Sequence, residues 1–299
     1  MRVTQKLMTE SAIQYMQDNL ERLNSLQDRV SSGKQFQYAS ENPSGATIVL
    51  SLRSTLETSQ GYLDTANVTE SWVSANDFTL GKTLDVAKRA VNLALEGVSD
   101  TLGQMERLSL GAEMDMVLQQ ALTLGNTSHQ GSYIFSGFRT STLPFEAVDN
   151  NADGLYDTVN YNGDTGIILR TVSPGQNVAQ NLVGSAVFSP LFAAIISARD
   201  ALNANDTTAL QASLSDLKDA LATLTEATTT NGARQRQVRL IRDRIEMSQT
   251  EIKSLISLKE DTNMAEAIAH LRNQETAYQA VLEVSQRTLS ALNLFQIMG

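Results

Sequence analysis

The stretch MAEAIAHLRNQETAYQAVLEVSQRTLSALNLF, Met264 to Phe295, decides how the rest of the chain is read. At spacings of four and three, Met264, Ile268, Leu271, Tyr278, Leu282, Leu289 and Leu292 fall on one stripe, interrupted by Glu275 and Ser285. No Pro or Gly breaks the segment before Gly299, so one long amphipathic helix is expected. Such a helix is marginal alone in water and needs a surface against its apolar stripe. A matching stripe lies near the other end: Ile13, Met16, Leu20, Leu23 and Val30. The economical arrangement has the two termini meet, with the pair also able to meet copies of itself. These twelve residues are the candidate self-assembly site.

Moving inward, the Asn42–Pro43 step reads as an N-cap followed by proline at the first helical position. Gly33 in SSGK offers a left-handed stop to the helix before it. A helix is expected from Ser44 to about Ala75, with Ile48, Leu52, Leu56, Leu63, Ala66 and Val73 inward, followed by a break at Asn76–Asp77. Periodicity resumes through Leu84, Val91 and Leu95, and again through Met105, Leu108, Met114 and Val117, with the methionines read as pliable core fillers.

From Gly131 the period changes to two. Short β-type runs, GSYIFSG, PFEAV, LYDTVNY, GIILRTV and SAVF, are separated by turn chemistry at Asp153–Gly154, Asn162–Gly163–Asp164 and Pro174–Gly175. Eight of the sixteen aromatic residues lie between Tyr133 and Phe192, and the insert contains no Lys. Helix is expected again from Leu191, with a stripe of Leu210, Leu214, Leu217, Leu221 and Leu224. A turn is expected at Asn231–Gly232, and then a helix carrying Val238, Ile241, Ile245, Ile252 and Leu255.

The fold expected is mainly α with a β insert: an elongated helical bundle or coiled coil built from N- and C-terminal arms around a small antiparallel β domain. Residues 1–40 and 264–299 form the terminal coiled-coil assembly region in this reading, 41–130 and 191–263 a helical bundle domain, and 131–190 the antiparallel β domain.

Composition narrows the function. A formal net charge of −10 opposes nucleic acid as a partner, because phosphate binding needs a positive surface. The one basic cluster, Arg234, Arg236, Arg239, Arg242 and Arg244, reads instead as a solvated or intersubunit face. Cysteine is absent, which removes disulfides, thiolate metal sites and thiol nucleophiles. His129 and His270 are the only histidines and sit in segments assigned to different layers; one is expected to end a helix and the other to lie on a helix surface. No phosphate-binding glycine loop occurs. Asp149, Asn151, Asp153, Gly154 and Asp157 fit the start of a calcium loop, but position twelve is Asn160 and the flanks are strand-like, so an acidic β-turn is the expectation. No enzyme activity, cofactor or metal is expected. The most apolar run, Leu191–Ala198, is short for a membrane span, so no membrane partner is expected. Residues 1–14 lack the apolar core of a secretory signal, so export, if it occurs, would use a route without a cleaved leader.

Four blocks, in order, resemble the bacterial flagellin family. SSGKQFQYASENPSGA (Ser31–Ala46) is similar to its amino-terminal pattern, and TTTNGARQRQVRLIRDRI (Thr228–Ile245) to its return helix. GSYIFSGFRTSTLPF (Gly131–Phe145) and ETAYQAVLEVSQRTLSALNLF (Glu275–Phe295) resemble the family's hook–filament junction branch. The resemblance implies a structural protein of the bacterial flagellum, exported unfolded by the type III apparatus and held beforehand by an export chaperone at its C-terminal helix. It would join the first hook-associated protein to the flagellin filament as a ring of its own copies. The alternatives are a divergent flagellin subunit, or a secreted module whose β insert holds calcium or a glycan.

Overall fold

The computed structural model describes the backbone of residues 2–297, and side-chain surroundings for residue 7 and residues 9–287. The described residues form six helices and three two-stranded antiparallel sheets, mainly α with a β insert. They divide into two compact units, 1–58 with 248–299 and 59–247.

The first unit holds α1 (Arg2–Ser32), the start of α2 (Pro43–Gly97), the end of α5 (Thr207–Glu260) and α6 (Met264–Ile297). Helix α1 packs along α6. It stops at Gly33, whose φ is +71° and whose N–H closes onto Arg29 O at 3.0 Å. Helix α2 starts as expected, with Asn42 Oδ1 accepting from Gly45 N at 2.9 Å just ahead of Pro43. Phe36, Ala46 and Val49 form a small buried cluster, with Ile256 packed on it. The inward face of early α2 is therefore Ala46 and Val49, while Ile48 is exposed.

The loops after α1 and before α6 are tied together. Gln35 N donates to Glu260 O at 2.7 Å, and Thr262 N to Gly33 O at 2.8 Å. The Glu260 carboxylate, itself buried, receives Lys34 at 2.6 Å and Arg53 at 2.7 Å.

The second unit holds the remainder of α2 and α5, together with α3 (Gln104–Gly125), α4 (Gly184–Asn203) and the strands. Its core is built on Leu80, Leu93, Met114, Leu118, Phe135, Phe145, Phe188, Phe192, Ile195, Leu210, Leu217 and Leu224. The Leu stripe of α5 is thus inward as read. Met105 and Met116 are exposed, so of the three methionines of α3 only Met114 fills the core, and Leu95 of α2 also faces out.

Two expected breaks are absent. Helix α2 runs through Asn76–Asp77, and α5 through Asn231–Gly232. Both asparagines are fully buried and spend their amides on tertiary bonds: Asn76 Nδ2 donates to Gln180 O and Asn231 Nδ2 to Val73 O, each at 2.9 Å. Tertiary packing overrides the local turn preference.

The insert is three hairpins rather than one sheet: β1 (Ser128–His129) with β2 (Ser132–Tyr133), β3 (Phe145–Val148) with β4 (Thr158–Tyr161), and β5 (Leu169–Ser173) with β6 (Gln176–Ala179). Pro174–Gly175 joins β5 to β6 as expected, with Gly175 at φ +71°, and Asp153–Gly154 lies between β3 and β4, while the β1–β2 turn at Gln130–Gly131, both at positive φ, is not among the expected turns. SAVF is not a strand. It lies in the first turns of α4, which carries Pro190 internally. Val187, Phe188, Leu191 and Phe192 recur at helical spacing and are all buried, and that burial outweighs the hydrogen bond proline forfeits. Gly184 opens α4 because a Cβ there would sit 2.2 Å from Phe135 O. With its full 20 residues and a mean hydropathy of 1.3, α4 is long and apolar enough to cross a membrane by composition, but it is the central core helix of this unit.

Candidate assembly surface

On α1 the half-buried residues Ala12, Met16, Asn19, Leu23, Leu26 and Val30 advance by alternating steps of four and three. On α6 the covered positions Ala267, Leu271, Gln274, Tyr278, Val281 and Ser285 do the same. That spacing is the 3.5-residue repeat that keeps one seam facing a partner helix.

Of the twelve expected positions, Met16, Leu23, Val30, Leu271, Tyr278 and Leu282 are half-buried along this pair. Ile13 and Leu20 turn outward, 46% and 41% exposed, as do Met264 and Ile268. The side chains of Leu289 and Leu292 lie outside the described residues. Ser285, read as an interruption of the stripe, is buried. Sequence reasoning also passed over the seam's polar pair, Asn19 and Gln274, because an apolar count skips amides.

Leu7, Ile13, Tyr15 and Leu20 on α1, and Met264, Ile268 and Val284 on α6, are large apolar groups left in water. A groove of about 340 Å3 runs between the two helices, lined by Ala12, Tyr15, Asn19, Ala280, Val281, Val284 and Ser285.

The remaining candidates resolve into structural roles. Asp149 accepts from Ala152 N at 2.7 Å and Gly154 N at 2.9 Å, and the Gly154 bond above all holds its carboxyl below the usual range. Asp157 accepts from Asn150 N, and Asp153 from Leu155 N, so this is a carboxylate-braced turn between β3 and β4. Among the described residues no group of three or more acidic or histidine side chains is placed to hold a metal.

The arginine cluster does not wait for a neighbouring chain throughout. Arg239 and Arg242 pair with Glu70 of α2 at 2.9 and 2.7 Å, Arg234 donates to Asn181 O, and Arg244 to Gln176 Oε1. His129 does not end a helix. It sits in β1, 3.0 Å from Ser71 Oγ and edge-on to the buried Trp72. His270 is a surface residue of α6, 3.6 Å from Glu266.

With this geometry in place, comparison with known proteins is decisive for the amino-terminal part: residues 3–140 match the bacterial flagellin N-terminal helical region. That region belongs to the flagellin family. The chain is also similar to flagellar hook-associated protein 3 of Escherichia coli, 24% identical over 295 residues, which cover 90% of this chain and 91% of that one. It is similar to flagellar hook-associated protein 3 of Salmonella typhimurium, 22% identical over 64% of this chain, a match that spans 60% of the Salmonella protein's length. The crystal structure of Bacillus cereus FlgL superposes with a TM-score of 0.60 at 22% identity, covering 69% of this chain and 99% of that one. The shared feature at that identity is the fold: mostly helical, with a small antiparallel insert.

Proposed function

We propose that this chain is a structural protein of the bacterial flagellum, a hook–filament junction protein of the hook-associated protein 3 type. It joins the first hook-associated protein to the flagellin filament and works without catalysis or cofactor. Residues 1–40 and 264–299 are its assembly region. Its own copies form the ring, and an export chaperone holds the C-terminal helix until the chain leaves the cell. Folding of the terminal helices is coupled to docking, which restricts assembly to the growing structure.

The observation that carries this reading is the outward row of Ile13, Leu20, Met264 and Ile268 beside a covered α1–α6 seam. The seam satisfies one face of each helix within the chain; the second face needs another molecule. Similarity to the E. coli and Salmonella proteins named flagellar hook-associated protein 3 supports the flagellar assignment.

The test is a strain carrying Ile13→Asp, Leu20→Asp and Ile268→Asp. The purified variant should melt like the parent, yet flagella should end at the hook and motility should be lost. Normal swimming by that strain would overturn the proposal, as would immunogold labelling spread along the filament instead of confined to the far end of the hook.

A further inference from the structure

We propose that the outer face of α5 between Arg236 and Met247 docks the Phe138 end of the β insert of a second copy of this chain, a contact separate from the terminal helices.

Arg236, Leu240, Arg244 and Met247 advance by threes and fours and share one side of α5. The opposite side carries Val238, Ile241 and Ile245 into the unit with Val172 and Val178 of the β5–β6 hairpin. Leu240 and Met247 are 70% and 66% exposed, large apolar groups with no covering element. A groove of about 390 Å3 lies between this face and the hairpin tip at Gln176.

The face is also positive in effect. Asp243 is held by Arg242 at 3.0 Å, and Glu246 lies 3.8 Å from the same guanidinium, so the acids of this stretch are drawn to Arg242. Arg244 has a neutral partner, Gln176, and among the described residues Arg236 has no hydrogen-bond or ion-pair partner.

The complementary surface is on the insert. It has no Lys, and its five carboxylates outnumber Arg139 and Arg170. Phe138 is 64% exposed and its ring lies against Gly166, next to the exposed Ile167. Asp164 braces this cluster, accepting from Phe138 N and Gly166 N, each at 2.8 Å. Those N–H bonds, Phe138's first, hold the Asp164 carboxyl below its ordinary value, so it stays ionised beside the aromatic ring.

An apolar face flanked by Arg236 and Arg244 thus has its counterpart in an apolar patch edged by the Asp164 carboxylate, on an insert whose acids outnumber its cations, with Arg139 the one cation set beside Asp164. Two different patches make a heterologous contact, which propagates from copy to copy and closes into a ring when the rotation allows. Opposite rim charges set partner and register, and the apolar centres supply the affinity.

The chain has no cysteine, so cross-linking needs no background removal. Full-length Thr165→Cys and Gln237→Cys proteins, which keep Phe138 and Leu240 and carry different tags, are oxidised at high concentration separately and mixed. The mixture should give a disulfide heterodimer well above the homodimer yield of either protein alone, and above a Lys88→Cys control. Adding Arg236→Glu and Arg244→Glu to the Gln237→Cys chain should cut the yield roughly tenfold with melting unchanged. No heterodimer, equal yields from the single proteins, or a control-level yield would overturn the proposal. Cross-linking of the Gln237→Cys chain to purified flagellin and not to the Thr165→Cys chain would reassign the occupant and overturn it too.

Discussion

Gln274 of α6 donates its amide N–H to Asn19 Oδ1 of α1 at 3.0 Å, in the middle of a mostly apolar seam. Paired amides in such a position stabilise one register of two helices over its neighbours, at some cost in affinity relative to leucine. Replacing either residue by Ala should lower the melting of the terminal pair by about 1 kcal/mol, and a double-mutant cycle should show coupling. Asn19→Leu with Gln274→Leu should raise the melting temperature while broadening the oligomer distribution seen by light scattering.

The covered and uncovered sides of the same helices should respond differently. Leu271→Asp puts a charge in the seam and should reduce helicity of the terminal region, read by circular dichroism. Leu20→Asp should leave helicity unchanged and remove attachment to flagella.

Glu260 governs an acid response. Burial alone would raise its carboxyl, but the Lys34 bond and the Arg53 charge outweigh this and hold it below its ordinary 4.5. A folded value below the unfolded one means the clamp's stability is fully present above the unfolded value and is lost as pH falls through the folded one. Melting of the parent should therefore be flat above roughly pH 5 on this account and decline below it. Glu260→Gln should melt lower at neutral pH and show a shallower acid slope.

Asn231 separates a missing partner from a buried charge. Its Oδ1 is buried without a hydrogen bond, while its Nδ2 holds Val73 O. Asn231→Leu should cost about 1 kcal/mol or less, since one lost bond is offset by removal of an unsatisfied oxygen. Asn231→Asp should cost about 3 kcal/mol or more, the penalty of an uncompensated interior charge. Chemical denaturation with an unchanged slope would measure both.

Gly184 tests the start of α4. A methyl there meets the Phe135 carbonyl at 2.2 Å, a backbone atom that cannot swing aside. Gly184→Ala should destabilise the second unit by about 1–3 kcal/mol, as overpacking does.

Much of the architecture was legible in the chain. The Asn42–Pro43 cap, the Gly33 stop, the Pro174–Gly175 turn and the Leu210–Leu224 stripe depend on backbone preferences and burial periods that act within a few residues. Asn231–Gly232, Asn76–Asp77 and SAVF depart from the expectation because these residues carry strong local preferences that distant partners cancel. The candidate surface divided in the same way. An apolar stripe on α1 and α6 can be counted, but which of its two edges is covered depends on the rotation of one helix against the other.

The helical ends around a β-rich middle, the acidic insert and the amphipathic stripes were determined by the sequence itself, since each follows from chemistry repeated at short intervals. Tertiary structure alone decided that Ile13, Leu20 and Ile268 face water while Asn19 meets Gln274, and that Glu260 gathers Lys34 and Arg53. Those pairings join residues more than two hundred positions apart, or sort neighbours by a few tens of degrees of helix rotation. No local preference carries that information, because it is set by the sum of packing across the finished unit.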